Sequence, residues 1–180
     1  MAAPSSLVIV NLARQFRASA YRTFYRLPSS TRRRIVRLVA PRYLVGAVTV
    51  VRDSEAGGAG RLLLLRQPPD RGWNLPAGLL KHRERPAAGA ARELFEESGI
   101  RLDPDDLSPG VPNAIVHTVG VVDTVWFAEV PASTTTLAVD GGEVLEAAWF
   151  QIDELPRLTV HTAALLGRYG IGPRATPAAR

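Results

Sequence analysis

Between Gly78 and Ile100 the chain reads GLLKHRERPAAGAARELFEESGI, and within it Glu93, Glu96 and Glu97 stand at i, i+3 and i+4. On a helix these carboxylates share one face, where like charges repel one another. They also fall in the last turn before Gly99, where the macrodipole disfavours negative charge. A helix that accepts both costs is built to hold a cation rather than to stabilise itself. The local signals agree on a helix: Pro86 suits the first turn, Ala87, Ala88, Ala90 and Ala91 favour the conformation, and Gly99 suits a left-handed terminator. Leu94 with Ala90 or Ala91 supplies a side for packing, and Gly89 is the weak point.

The kind of cation follows from what the chain lacks. It has no cysteine, and His82, His117 and His161 show no zinc-ligand spacing. A metal must therefore be held by oxygen, which points to magnesium, manganese or calcium.

Around this stretch the pattern alternates strand and helix. Tyr43 to Val51 is β-branched and reads as a buried strand, Ser54 to Gly60 as a turn, and Arg61 to Arg66 as the returning strand of a hairpin. Gln67 to Gly72 reads as a loop and Trp73 to Leu75 as a short strand. Beyond the helix, Asp103 to Pro112 reads as a loop, and Asn113 to Val119 and Val121 to Val130 as two strands with a turn near Gly120. A further strand is expected at Val144 to Phe150, a helical turn at Asp153 to Leu155, a last helix at Thr159 to Tyr169 and a frayed tail from Pro173 to Arg180. This succession predicts an α/β sandwich, with a body over residues 43–170 and a tail over 171–180.

Charge sets the first 42 residues apart. Ten arginines and no Asp or Glu precede Asp53, so of the net +5 a charge of −5 remains for residues 53–180. From Leu7 to Leu27 the residues Ile9, Leu12, Ala13, Phe16, Ala20 and Phe24 recur at helical spacing, with Arg14, Arg17, Arg22 and Arg26 largely opposite. Pro28 ends this helix, Ser30 or Thr31 is placed to cap a second one through Leu38 or Val39, and Pro41 closes that. Three readings compete for the extension: helices packed on the body or a partner, a surface for anionic lipid or nucleic acid, and a cleavable organellar transit peptide. We expect a cytoplasmic protein, and a homodimer is among the assemblies left open.

Gly78, Glu84, Arg92-Glu93-Leu94, Glu96-Glu97, Gly99 and Ile100 together reproduce the pattern G-x5-E-x7-R-E-U-x-E-E-x-G-U, where U is aliphatic. At ordinary residue frequencies the accidental odds are on the order of 10⁻⁷. The chain thus resembles the Nudix hydrolases. The resemblance implies a Nudix-like α/β/α sandwich with a mixed sheet, and a magnesium- or manganese-dependent enzyme in which water attacks phosphorus in a nucleoside diphosphate linked to another moiety. It implies Glu93, Glu96 and Glu97 as metal ligands, joined by the carbonyl of Ala77, the residue before the box glycine. Glu84 and Arg92 are then supporting groups that orient the carboxylates.

The general base is read as Glu93 or a glutamate of a later loop, Glu143, with Glu146 as its rival. Arg66, at the end of a strand leading to the box, is a candidate to hold a substrate phosphate. Lys81 and Arg83 stand where relatives commonly carry an acidic residue and a glycine, and either contact phosphate or remain solvated. Trp73 and Trp126 are read as core residues with base stacking as the rival role, and His117 and His161 as structural. No subfamily marker selects a substrate. A nucleotide- or nucleic-acid-binding regulatory module without turnover is the alternative.

Overall fold

The computed structural model describes residues 5–117 and 119–175. The chain divides into two compact units, Met1–Arg42 and Tyr43–Arg180. In the first unit α1 (Ser5–Arg26) and α2 (Ser29–Val39) are separated by Leu27 and Pro28. Of the apolar stripe expected on α1, Ile9, Leu12, Ala13 and Phe16 lie outside the described side chains. The expected caps Ser30 and Thr31 fall inside α2, whose N-terminus takes no side-chain cap; the Pro28 carbonyl instead accepts a bond from the Arg32 amide at 3.1 Å.

The second unit runs β1 (Leu44–Asp53), β2 (Arg61–Arg66), β3 (Trp73–Asn74), β4 (Ala77–Leu79), α3 (Pro86–Ser98), β5 (Ser108–His117), β6 (Val121–Val130), β7 (Glu146–Gln151) and α4 (Val160–Arg168). The strands form one sheet ordered β3-β2-β1-β6-β5, with β4 paired to β1 and β7 to β2. β1 and β6 are parallel in register from Leu44↔Val121 to Asp53↔Val130, and the other pairs are antiparallel, so the sheet is mixed. β1 and β2 pair at the mouth of their hairpin, Arg52 opposite Leu62, and further along β1 takes β4 as its neighbour.

The two-residue period of the strands gives the sheet two apolar faces. Ala47, Val51 and Leu63 pack with Ala90, Ala91 and Leu94 of α3, whereas Val48, Val50, Leu62 and Leu64 pack with Leu165 and Leu166 of α4. Helices thus lie on both faces, the sandwich expected from the sequence. Trp126 packs on the first cluster and Trp73 on the second, where its ring meets Phe150 edge-on at 4.6 Å.

Two segments differ from expectation. The stretch from Asp103 to Pro112 holds a 3-10 turn at Pro104–Asp106 and then the start of β5. An edge strand tolerates prolines, which cannot donate to a ladder, and the register shifts between Pro109 and Ala114. The three residues of β4 also lay hidden beside Pro76. Thr118 and, of the expected tail, residues 176–180 lie outside the described residues.

Candidate functional site

The carboxylate helix begins with Pro86 in its first turn and ends at Gly99, whose φ of 78° is left-handed. Its buried residues Ala90, Ala91 and Leu94 fix its rotation against the sheet and turn Glu93 and Glu97 inward toward β4. Gly78 on β4 meets Glu93 so closely that a Cβ there would fall within the carboxylate. The box glycine is thus a requirement of approach. Gly89 has a reason of the same kind: a Cβ would overlap Leu80 and crowd Glu84.

Glu97 is the most buried of the three carboxylates, 5% exposed. It accepts the Ala77 amide at 2.8 Å and Gln67 Nε2 at 2.7 Å. Burial pushes its pKa up from 4.5 to about 7, and repulsion from Glu93 and Glu143 adds to the rise, against the two hydrogen bonds. Glu143, on the loop before β7, is near enough for its charge to be felt at Glu97. That loop is tied by the Asp140 side chain, which accepts the amides of Gly142, Glu143 and Val144 at 3.0, 3.1 and 3.1 Å.

Arg92 organises the other half. Its Nε and Nη2 grip the two oxygens of Glu84 at 2.8 and 3.0 Å, Nη2 also reaches the Leu79 carbonyl, and Nη1 donates to Glu93 at 2.6 Å and Glu96 at 2.8 Å. These bonds raise the Arg92 pKa, Glu84 first among them, and hold that of Glu84 at about 2, below its ordinary 4.5. Glu96 is the more exposed partner and also meets Lys81 Nζ at 3.5 Å. Lys81 therefore has an ionic partner, while Arg83 sits at a φ of 62°, the conformation that favours glycine.

The residues implied as ligands are brought together only in part. Among the described residues no three acidic or histidine groups stand close enough to enclose a metal ion, because Glu96 turns outward to Arg92 and Lys81. Ala77 joins through its amide. Its pairing opposite Val48, with Thr49 N bonded to the Pro76 carbonyl, points both its N–H and its C=O away from β1, so the carbonyl shares an edge with the amide that meets Glu97. The donor set is all oxygen, as a hard cation requires.

Arg66 makes two ion pairs with exposed carboxylates, Nη2 with Glu146 at 2.7 Å and Nη1 with Asp70 at 3.3 Å, while its buried Nε has no hydrogen-bond partner among the described residues. Arg66 and Glu146 are direct cross-strand partners of β2 and β7. That pairing also occupies Glu146, the rival to Glu143.

Sequence reasoning missed the groups that hold Glu97 from behind. Thr159 Oγ1 donates to Asn74 at 2.6 Å, Asn74 Nδ2 to Gln67 Oε1 at 3.3 Å, and Gln67 to Glu97. Beside them a cavity of about 200 Å³ is lined by Gln67, Asn74, Ala77, Asp123, His161 and Thr162. His117 Nε2 lies 2.9 Å from Asp123 Oδ2 and its ring centre 5.8 Å from that of His161, so His117 stands behind two residues that line this cavity. Nothing in their spacing announces this, since β5, β6 and α4 bring them together.

The family described as NUDIX domain matches residues 42–167. Over 63 residues the chain is 42% identical to a MutT-like protein of Streptomyces ambofaciens, a match covering 35% of this chain and 41% of that one. It is similar in structure to the MutT NUDIX hydrolase from Burkholderia pseudomallei, with 25% identity, a TM-score of 0.54 and coverage of 67% of this chain and 93% of that one. It is likewise similar to the NUDIX domain of Shewanella oneidensis NrtR complexed with ADP ribose, at 15% identity and a TM-score of 0.55, covering 68% and 83%. The chain spans less than half the length of the curated relatives it matches.

Proposed function

The chain belongs to the NUDIX family, whose domain extends over residues 42–167, and from that premise we propose that it is a divalent-metal-dependent pyrophosphohydrolase acting on a nucleoside diphosphate linked to another moiety. The observation that carries this reading is Glu97: a buried carboxylate with a pKa near 7, facing Glu93 and Glu143, with amide donors but no cation of the protein upon it. A fold does not gather uncompensated negative charge to stabilise itself.

The residues suit magnesium or manganese, and Glu93, Glu97 and the Ala77 carbonyl would hold it, with Glu96 released from Arg92 to join them. When bound, the cation supplies charge neutralisation for the diphosphate and a lowered pKa for water. Arg92 and Glu84 keep the helix start and the box loop in place, and Gln67 and the Ala77 amide fix the orientation of Glu97. Either Glu143 or Glu93 is the carboxylate that takes the proton from the attacking water. The cavity beside Gln67 and Ala77 takes the nucleoside or the linked moiety, with Asn74, Asp123, His161 and Thr162 as its polar contacts.

A panel of nucleotide diphosphates with magnesium tests the reading. Phosphate-bearing products should form from at least one member and be lost in Glu97→Gln and Glu93→Gln, both folded. Tight binding without turnover across the panel, in magnesium and in manganese, would replace the enzyme with a nucleotide-binding module.

A further inference from the structure

Pyrophosphate cleavage gives no role to the helical unit at residues 1–42. Nine arginines fall there with no Lys, Asp or Glu, so the net +5 of the chain leaves −4 for the remainder. Between α1 and α2 runs an open groove of about 370 Å³ walled by Ala20, Tyr21, Phe24, Ile35, Val36 and Val39. Tyr21 and Val39 are 64% and 77% exposed, so the second helix leaves this apolar surface uncovered. On the other side of Phe24 and Val36 lies a second opening of about 420 Å³, edged by Arg32, Arg33 and Arg37. Arg32 Nε is buried there with no hydrogen-bond partner among the described residues, and its guanidinium stands 5.6 Å from the Tyr25 ring centre.

We propose that the α1–α2 unit docks on an anionic phospholipid surface, its apolar groove entering the headgroup–acyl boundary and Arg32, Arg33 and Arg37 taking lipid phosphates. The surface couples aliphatic walls to guanidinium groups that have no acidic partner among the described residues, within one helical turn, and an anionic bilayer presents hydrocarbon and phosphate at that spacing. Nucleic acid would satisfy the arginines and leave Ile35, Val36 and Val39 facing water, since it presents no aliphatic surface. A protein partner would need an acidic rim about an apolar centre to match a unit that carries one sign only, and the vesicle comparison separates it from a bilayer. Among the described residues no helix is long and apolar enough to cross a membrane, so the contact is with the surface.

The test is co-sedimentation of the full chain with vesicles of phosphatidylglycerol and of phosphatidylcholine. Binding should be at least about ten-fold tighter to phosphatidylglycerol and weaken with salt. Arg32→Gln/Arg33→Gln/Arg37→Gln should weaken it about a hundred-fold, and Val36→Ser/Val39→Ser, at unchanged charge, about ten-fold. Equal binding to both vesicles, or none, would overturn the proposal, and the wild-type comparison stands without either variant. So would retention on DNA or RNA that Val36→Ser/Val39→Ser leaves intact, or a dimer that forms in place of vesicle binding and is lost in that variant. None of these readouts involves turnover, so they stand apart from the enzymatic assay.

Discussion

Glu97→Gln should make the metal-free protein more stable while removing its activity. The folded protein holds the Glu97 proton to about pH 7, whereas the unfolded chain releases it near 4.5. Between these values the folded state binds more protons, so the stability contributed by this group falls as pH rises. At about 1.4 kcal/mol per pKa unit, the ionised carboxylate costs the folded state about 3 kcal/mol above pH 7 and nothing below 4.5. Glutamine carries no charge to repel Glu93 and Glu143, and its side-chain oxygen still accepts the Ala77 amide, while its NH2, like the O–H of the protonated acid, gives up the bond from Gln67 Nε2. In chelator the variant should therefore melt about 6–10 °C above wild type near pH 8 and level with it near pH 5. Magnesium should close the gap by stabilising wild type alone. Thermal melts at several pH values, with chelator and with magnesium, measure this. Parallel pH profiles for the two proteins would refute the assignment of Glu97 as a strained, cation-seeking carboxylate.

Other residues give shorter tests. Gly78→Ala should displace the Glu93 carboxylate and lower kcat about a hundred-fold with a small change in melting temperature, since its Cβ would occupy that space. Arg83→Gly should raise the urea midpoint, by the equivalent of roughly 0.5 kcal/mol, because the left-handed penalty on arginine at a φ of 62° exceeds the extra backbone entropy that glycine loses on folding. Glu84→Gln should destabilise the protein at neutral pH, where the ionised Glu84 grips Arg92, and the difference should fade as pH falls from 4.5 toward 2; acid titration of both proteins reads it.

The helix and its carboxylates were legible because the glutamates recur at helical spacing, and Pro86, the alanines and Gly99 punctuate the same segment. The two faces of the sheet were legible in outline from β-branched runs. What escaped depends on partners distant in sequence. The ion pair of Arg66 arises only when β7 sets Glu146 directly opposite it. Gln67 and Asn74 read as loop and strand residues, and only the return of Thr159 at the start of α4 links them into a brace for Glu97. Gly89 looked like a flaw in the helix because its reason, the crowding of Leu80 and Glu84, is tertiary. Only the first half of β5, Ser108 to Pro112, read as a loop; it holds two prolines that an edge position tolerates.

The central claim is that this carboxylate site directs water onto the phosphorus of a diphosphate. Turnover of a responsive substrate in heavy-oxygen water with magnesium, followed by mass spectrometry of the products, tests it most directly. One heavy oxygen should enter a single phosphate-bearing fragment, and none should enter with Glu93→Gln or Glu97→Gln. Label in a non-phosphate product, or turnover that persists in chelator, would contradict it.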